Sequence, residues 1–268
     1  MVTSSKRSVQ QEISFLYELA RSPSYHSISQ LLKESHNPLL LPYVINALGM
    51  LHDSRTFFPV SFILLNEPGI ETEKRCLQYF VHTADPRGTE VIRQYLSEGG
   101  KLKDIAESAI TQCRQPHNFE YRYLGSETNL NAAPNMTGRI EVTGEDISNN
   151  WDIIQENGRS CDAEKPQTYV VLPSKKMYIG GFINEHVDVA KGSDVLAAGE
   201  INFEYIHNQW KVIYINNRSN GYLPDFSCFN AVKEAFALSD VILPCEKFDE
   251  TYPESFADRE LLLRYISQ

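Results

Sequence analysis

The side chains best suited to move protons lie in the second half of the chain, close to residues that favour turns. Five of them could form an acid/base set: Glu185, His186, Glu200, Ser219 and Tyr222. A histidine near a carboxylate can be tuned to transfer protons around neutral pH, and a Ser–His–Glu nucleophilic set is available among the five. The G-x-S-x-G elbow of many serine hydrolases is absent from the sequence. One hypothesis is therefore a hydrolase or group-transfer enzyme with its site in this region.

The polar segment around Ser219 also has a simpler interpretation, as a structural turn. Ser219 and Asn220 are typical turn formers that hydrogen-bond to their own backbone, while Tyr222 and His186 could hold that turn from across the domain. We favour this structural role over catalysis. Turns that lead from a strand into a helix also commonly carry ligands. The candidates for binding a small ligand are Asn217, Ser219, Asn220 and Tyr222.

Short apolar and alternating runs predict the elements that must position these residues. The predicted strands are 169–172, 177–179, 200–206 and 210–215, and a helix is predicted over 226–238. Upstream, short strands are expected at 119–124 and 137–142 in a loop-rich stretch. The pattern leaves most of 117–165 and all of 245–268 open, although 251–268 should be a final helix or strand. The expected architecture is a mainly antiparallel sheet with one or two helices.

The order of these elements is similar to that of a domain found in many bacterial proteins of unknown function. It comprises a hairpin, E-H, V-L-A-A-G-E, a strand pair, N-x-S-x-G-Y-x-P and a helix, within residues 167–238. It also resembles the S-G-H-Y-x-P region of plant IQ-motif calmodulin-binding proteins. Asn220-Gly221 replaces Gly-His before Tyr222, and there is no IQ motif, so calmodulin binding is not implied. The occurrence of similar domains adds a weaker alternative, a regulatory protein of an immunity or defence system.

The first 115 residues contain an internal repeat with a period of 32 positions. Asp53-Ser54-Arg55 recurs as Asp85-Pro86-Arg87, and apolar pairs four apart recur at the same offset. Apolar residues at this spacing share one face of a helix. A single hairpin cannot bury such a face alone, but stacked neighbours can. The predicted helices are 8–20, 24–34, 38–51, 55–66, 71–82, 87–98 and 102–113.

This pattern resembles the short HEAT-like repeats of phycobilisome lyases and many scaffold proteins, over residues 8–115. The resemblance implies an α-solenoid whose ridges bind a protein partner, and it does not imply lyase activity. Arg55 and Arg87 are expected to bridge consecutive repeats through Asp53 and Asp85.

Charge is unevenly distributed along the chain, whose net charge is −10. Residues 1–115 carry 12 basic and 12 acidic side chains, whereas residues 116–268 carry 13 basic and 23 acidic ones. An acidic domain repels phosphate backbones, so we expect no nucleic-acid partner. The shift in charge also supports a domain boundary near Pro116.

Composition argues against several other classes of protein. Hydrophobic residues make up 42% of the 268 positions, as in ordinary globular chains. Apolar runs are too short to span a membrane, and residues 1–11 lack the apolar core of a signal peptide, so we expect a cytoplasmic protein. The five cysteines form no C-x-x-C pair, which indicates neither disulfides nor zinc. Caps or surface positions are expected for His26, His36, His52 and His82.

Together these patterns predict an α+β protein with a HEAT-like repeat domain, 1–115, and an acidic mixed domain, 116–268. We expect a non-catalytic interaction or adaptor protein with neither metal nor cofactor. The solenoid would bind a protein partner, and the second domain would bind another partner or a small ligand. The oligomeric state is left open.

Overall fold

The structure is a computed structural model that describes residues 8–66, 69–114, 119–135, 138–159, 166–181, 184–243 and 248–249. Helices and a mainly antiparallel sheet are both present, so the α+β prediction is confirmed at that level. Two compact units are found. Their described parts are 8–114, called the helical unit, and 119–249, called the sheet unit.

Seven α-helices make up the described part of the helical unit. They are α1 (Val9–Leu19), α2 (Tyr25–Glu34), α3 (Leu41–Met50), α4 (Phe57–Asn66), α5 (Ile70–Thr83), α6 (Gly88–Ser97) and α7 (Lys103–Cys113). Each end lies within three residues of its predicted position. Ser8 and Ser24 begin the first two helices because their side chains accept backbone N–H groups that have no partner within the helix.

Each helix of this unit packs against its neighbours in a regular pattern. Helices α1, α3, α5 and α7 contact one another in that order, and α4 packs against α6 in the same way. Apolar positions in this arrangement, including Ile28, Val60 and Ile92, are fully buried. Stacking therefore buries the faces that a single hairpin would expose. These contacts establish a layered array of helices, whereas the solenoid stays a prediction.

The two Asp-x-Arg turns differ from the expected bridging arrangement. Arg55 pairs with Asp53 of its own turn, and Arg87 pairs with Asp85. Because the arginine follows the aspartate by two positions, its backbone N–H and its guanidinium both reach the same carboxylate. The link between consecutive turns is made instead by Arg87, whose Nη2 donates to the carbonyl oxygen of Ser54 at 3.0 Å.

The sheet unit contains six described strands in the order β1-β3-β2-β4-β5-β6. They are β1 (Ile140–Glu141), β2 (Gln167–Val171), β3 (Met177–Gly180), β4 (Ala197–Ile206), β5 (Gln209–Asn216) and β6 (Phe248–Asp249). The first five pair antiparallel, and β6 pairs parallel to β5. The strands predicted for β2 to β5 are confirmed.

Four α-helices accompany these strands: α8 (Glu127–Ala132), α9 (Gly144–Arg159), α10 (His186–Ala190) and α11 (Phe229–Ala237). The predicted helix 226–238 is confirmed as α11 after one 3₁₀ turn, Phe226–Cys228. The predicted strand 119–124 is wrong, because only Tyr121 forms a bridge, to Val195.

Sequence patterns did not reveal α8, α9 or α10. The first two are rich in polar residues, and α10 spans only five residues. The element predicted at 251–268 lies outside the described residues. Among the helices that the structure describes, none combines the length and apolar character needed to cross a membrane.

Candidate functional site

Two of the five acid/base candidates, His186 and Glu200, make contacts where β4 approaches the end of β5. Gly199 on β4 approaches β5 so closely that an added Cβ atom would lie 2.0 Å from the carbonyl oxygen of Asn216. The same Cβ would lie 2.9 Å from the ring of Tyr169. Only glycine fits such an approach without a shift of the backbone. This contact fixes the position of Gly199 and of its neighbour Glu200.

His186 is the first residue of α10, and its imidazole ring contacts the backbone of β4. Its Nε2 lies 3.0 Å from the carbonyl oxygen of Gly199. A carbonyl oxygen can only accept, so Nε2 carries the proton of the neutral ring. Burial lowers the pKa of His186 to about 4, and the hydrogen bond to Gly199 opposes that shift. At neutral pH the ring is therefore an uncharged donor that ties α10 to the sheet.

The lowered pKa of His186 predicts a loss of stability on acidification. Its folded pKa is about 4 and its ordinary value is 6.5, so the unfolded chain binds more protons between these values. The stabilisation is complete above pH 6.5. As the pH falls to 4, the free energy of unfolding should decrease by up to about 3 kcal/mol. Urea unfolding at several pH values measures this by fluorescence, because both tryptophans belong to the sheet unit.

A matched pair of variants isolates the contribution of this ring. His186→Gln keeps an N–H donor for the carbonyl oxygen of Gly199 but does not titrate, so it should flatten the pH dependence. His207→Gln changes an exposed histidine of the same unit and should leave the dependence intact. Equal slopes in wild type and His186→Gln between pH 6.5 and 4 would contradict the assignment.

Glu200 and Glu185 are both engaged in local structure. The carboxylate of Glu200 accepts a hydrogen bond from Asn216 Nδ2 at 2.8 Å, and its backbone N–H donates to Asn216 Oδ1 at 2.9 Å. Glu185 is exposed at the N-terminus of α10, where its backbone N–H donates to the carboxylate of Asp188. The Asn216 amide therefore joins β4 to β5 at the same place as Gly199.

The segment after β5 is a largely buried turn whose side chains form hydrogen bonds within the sheet unit. Ser219 Oγ accepts the N–H of Tyr222 at 3.3 Å, and the Tyr222 hydroxyl donates to the carbonyl oxygen of Ser193 at 2.8 Å. Asn217 Nδ2 donates to the carbonyl oxygen of Pro224. Asn217, Ser219 and Tyr222 are buried, and Asn220 is exposed.

The structure brings some of the candidates together and leaves others apart. His186 reaches the residue next to Glu200, whereas the hydroxyl of Ser219 bonds within its own turn. Among the hydrogen bonds of the described residues, none joins Ser219 to His186 or His186 to a carboxylate. These bonds hold a turn, two strands and a short helix in place, and they do not form a nucleophile–base–acid series.

A concave surface that the sequence patterns did not predict lies in the helical unit, where α1, α3 and α5 pack side by side. This groove has a volume of about 490 Å³. Its lining includes Tyr17, Asn46, Met50, Arg75, Gln78 and His82. No carboxylate is present among its described lining residues. The available signal was the set of small and polar residues on the otherwise apolar helix α3, such as Asn46 and Gly49, which leave space beside a neighbouring helix.

A smaller groove of about 320 Å³ lies beside the loop between α6 and α7. It is lined by two carboxylates, Glu73 and Glu98, and by Lys101. The hydroxyl of Tyr95 fills part of it, donating to Glu73 at 2.7 Å and accepting the N–H of Leu102. The Tyr95 hydroxyl and the Glu73 carboxylate therefore already satisfy one another, and Glu98 accepts a hydrogen bond from Gln94.

Comparison with known proteins assigns the chain to no family. No family model matches it, and no significant match was found among curated proteins or solved structures. Both family resemblances therefore stay predictions, and the geometry above carries the functional argument.

Proposed function

We propose that this is a non-catalytic interaction protein whose helical unit binds an acidic segment of a partner protein. The binding site is the groove lined by α1, α3 and α5. One observation carries the proposal: the helical unit presents a 490 Å³ groove whose described lining holds an arginine and a histidine but no carboxylate.

The arrangement of the helices supports a solenoid-type binding surface. Three helices of one layer, each separated from the next by a helix of the other layer, line the groove together. HEAT-like solenoids present extended surfaces of this kind, because each repeat contributes the same helix to one side. We therefore propose that the helical unit is a short α-solenoid and that this layer is its binding side.

The chemistry of the groove defines the segment that it would take. Met50 is 48% exposed and, with Tyr17, offers a soft apolar surface for an aromatic or aliphatic anchor. Arg75 uses one guanidinium N–H in a bond from Nε to Glu71 at 2.7 Å. A guanidinium has five N–H donors in a fork that matches a carboxylate. The favoured ligand is therefore a peptide that carries an apolar anchor beside an aspartate or glutamate.

The engagement of the acid/base candidates supports a non-catalytic role. His186 donates to a backbone carbonyl, and Ser219 accepts from a backbone N–H. Groups used in this way stabilise the fold, and proton transfer by them would require these bonds to break.

Selection of random peptides on the immobilised protein tests the proposal. Selected peptides should be enriched in acidic residues next to an aromatic or large aliphatic residue. Fluorescence anisotropy then measures their affinity for two charge-reversal variants. Arg75→Glu should weaken binding at least about tenfold, because a charge-assisted hydrogen bond becomes a repulsion.

Arg93→Glu is the matched control for this experiment. Arg93 also pairs with a glutamate of its own helix, Glu90, but it lies on α6 and does not line the groove. Its reversal should leave the affinity unchanged. Selection without acidic enrichment, or equal affinities for the two variants, would overturn the proposal.

A further inference from the structure

His52 and His82, two exposed histidines of the helical unit, are in contact although they lie 30 positions apart in the sequence. The Nε2 atoms of His52 and His82 lie 3.2 Å apart, and their ring centroids are 4.6 Å apart with the planes inclined at 47°. Both side chains are exposed to solvent. At this distance one ring nitrogen donates a hydrogen bond to the other.

The backbone positions of both histidines are fixed by the packing of helices α3 and α5. His52 follows α3 in a left-handed conformation, with φ 47°, and its N–H donates to the carbonyl oxygen of Gly49. His82 lies in the last turn of α5, three residues after the buried Tyr79. Helix α3 packs against α5. The separation of the two backbone positions is therefore set by the packing of α3 against α5.

We propose that His52 and His82 form a two-imidazole site for a divalent transition-metal ion such as Zn²⁺. Imidazole nitrogens bind zinc at about 2.0–2.1 Å, usually in tetrahedral geometry. Two such ligands on one ion are roughly 3.3 Å apart, since this is the edge of a tetrahedron of that size. The observed separation of 3.2 Å matches this edge. A cis pair in an octahedron would be closer, at about 2.9 Å.

The remaining coordination positions of the ion are open. No group of three or more potential ligands is found within the described ranges of the chain. Water would complete the coordination at two positions, whereas a catalytic zinc site with three protein ligands keeps one such position. His82 also lines the groove, so the ion would lie at the edge of the groove. The site does not depend on the groove binding a peptide.

Calorimetric titration of the full chain with Zn²⁺ tests the proposal. Wild type should bind one ion that is lost, or weakened at least about tenfold, in both His52→Ala and His82→Ala, because removal of an outer-shell partner alone costs 10–100-fold. His36→Ala, at another exposed histidine of the same unit, should bind like wild type. Circular dichroism of each variant establishes that the helices are retained.

Nuclear magnetic resonance distinguishes a metal site from a pair of histidines that only stabilises the fold, because only a metal site changes its ring-proton signals when Zn²⁺ is added. Zn²⁺ added to wild type should shift the ring-proton signals of His52 and His82 together and to the same saturation point. The proposal is overturned if the folded variants bind Zn²⁺ like wild type. It is also overturned if neither ring signal responds to the ion.

Discussion

Replacing Arg87 with methionine is expected to lower the free energy of unfolding by about 3–5 kcal/mol. Arg87 and Asp85 are 2% and 1% exposed, so the variant would leave a buried carboxylate without its counter-charge. It would also remove the donor to the carbonyl oxygen of Ser54 in the preceding turn. The guanidinium further lies 4.4 Å from the ring centre of Phe57, and methionine would replace only part of that contact.

Urea unfolding followed by circular dichroism measures this loss through the signal of the helices. Arg93→Met provides the control, because Arg93 and its partner Glu90 are exposed. Pairs of that kind contribute about 0–1 kcal/mol. A loss below about 1 kcal/mol in Arg87→Met would show that Arg87 does not hold the consecutive turns together.

Replacing Gly199 with alanine is expected to destabilise the sheet unit by about 3 kcal/mol. The new Cβ would lie 2.0 Å from the carbonyl oxygen of Asn216, a backbone atom that cannot rotate away as a side chain could. Relief requires β4 and β5 to separate. That movement would disturb the bond from Tyr169 to the Asn216 carbonyl and the bonds between Asn216 and Glu200.

Tryptophan fluorescence during urea unfolding follows this effect, because Trp151 and Trp210 lie in the sheet unit. Gly49→Ala makes the same chemical change within α3, where the Cβ would lie 3.4 Å from Tyr79 Cδ2. Circular dichroism, which follows the helices, should show no loss of stability in this variant and a gain of up to about 1 kcal/mol, because alanine favours helix more than glycine does. Comparable stability of wild type and Gly199→Ala would contradict the close approach of the two strands.

The helices α1 to α7 were predictable because their signals are local. Apolar residues three and four apart, with serine before the first turn, describe a helix without reference to the rest of the chain. Strands β2 to β5 were predictable for the same reason, from short apolar or alternating runs between turns. Helix α8 was missed because its six residues carry no such stripe. Helix α9 was missed although Ile147 and Trp151 lie four apart, because most of its other residues are polar.

The five acid/base candidates were identified by residue type, but sequence spacing did not reveal their partners. His186 finds a carbonyl oxygen 13 positions away, and Ser219 finds the N–H three positions along its own turn. Which acceptor a side chain reaches depends on the register of β4 and β5 and on the space left by Gly199. The residue types therefore suggested acid/base chemistry, whereas the tertiary contacts give His186 and Ser219 structural roles.

The sequence by itself determined the helical repeat, its period and the buried faces, because these follow from side-chain size and spacing along one segment. Tertiary structure alone decided that Arg87 reaches Ser54, that His52 meets His82 and that α1, α3 and α5 enclose a groove. The reason is physical: each of these contacts joins segments that are distant along the chain, and their separation is set by the packing of whole helices against one another.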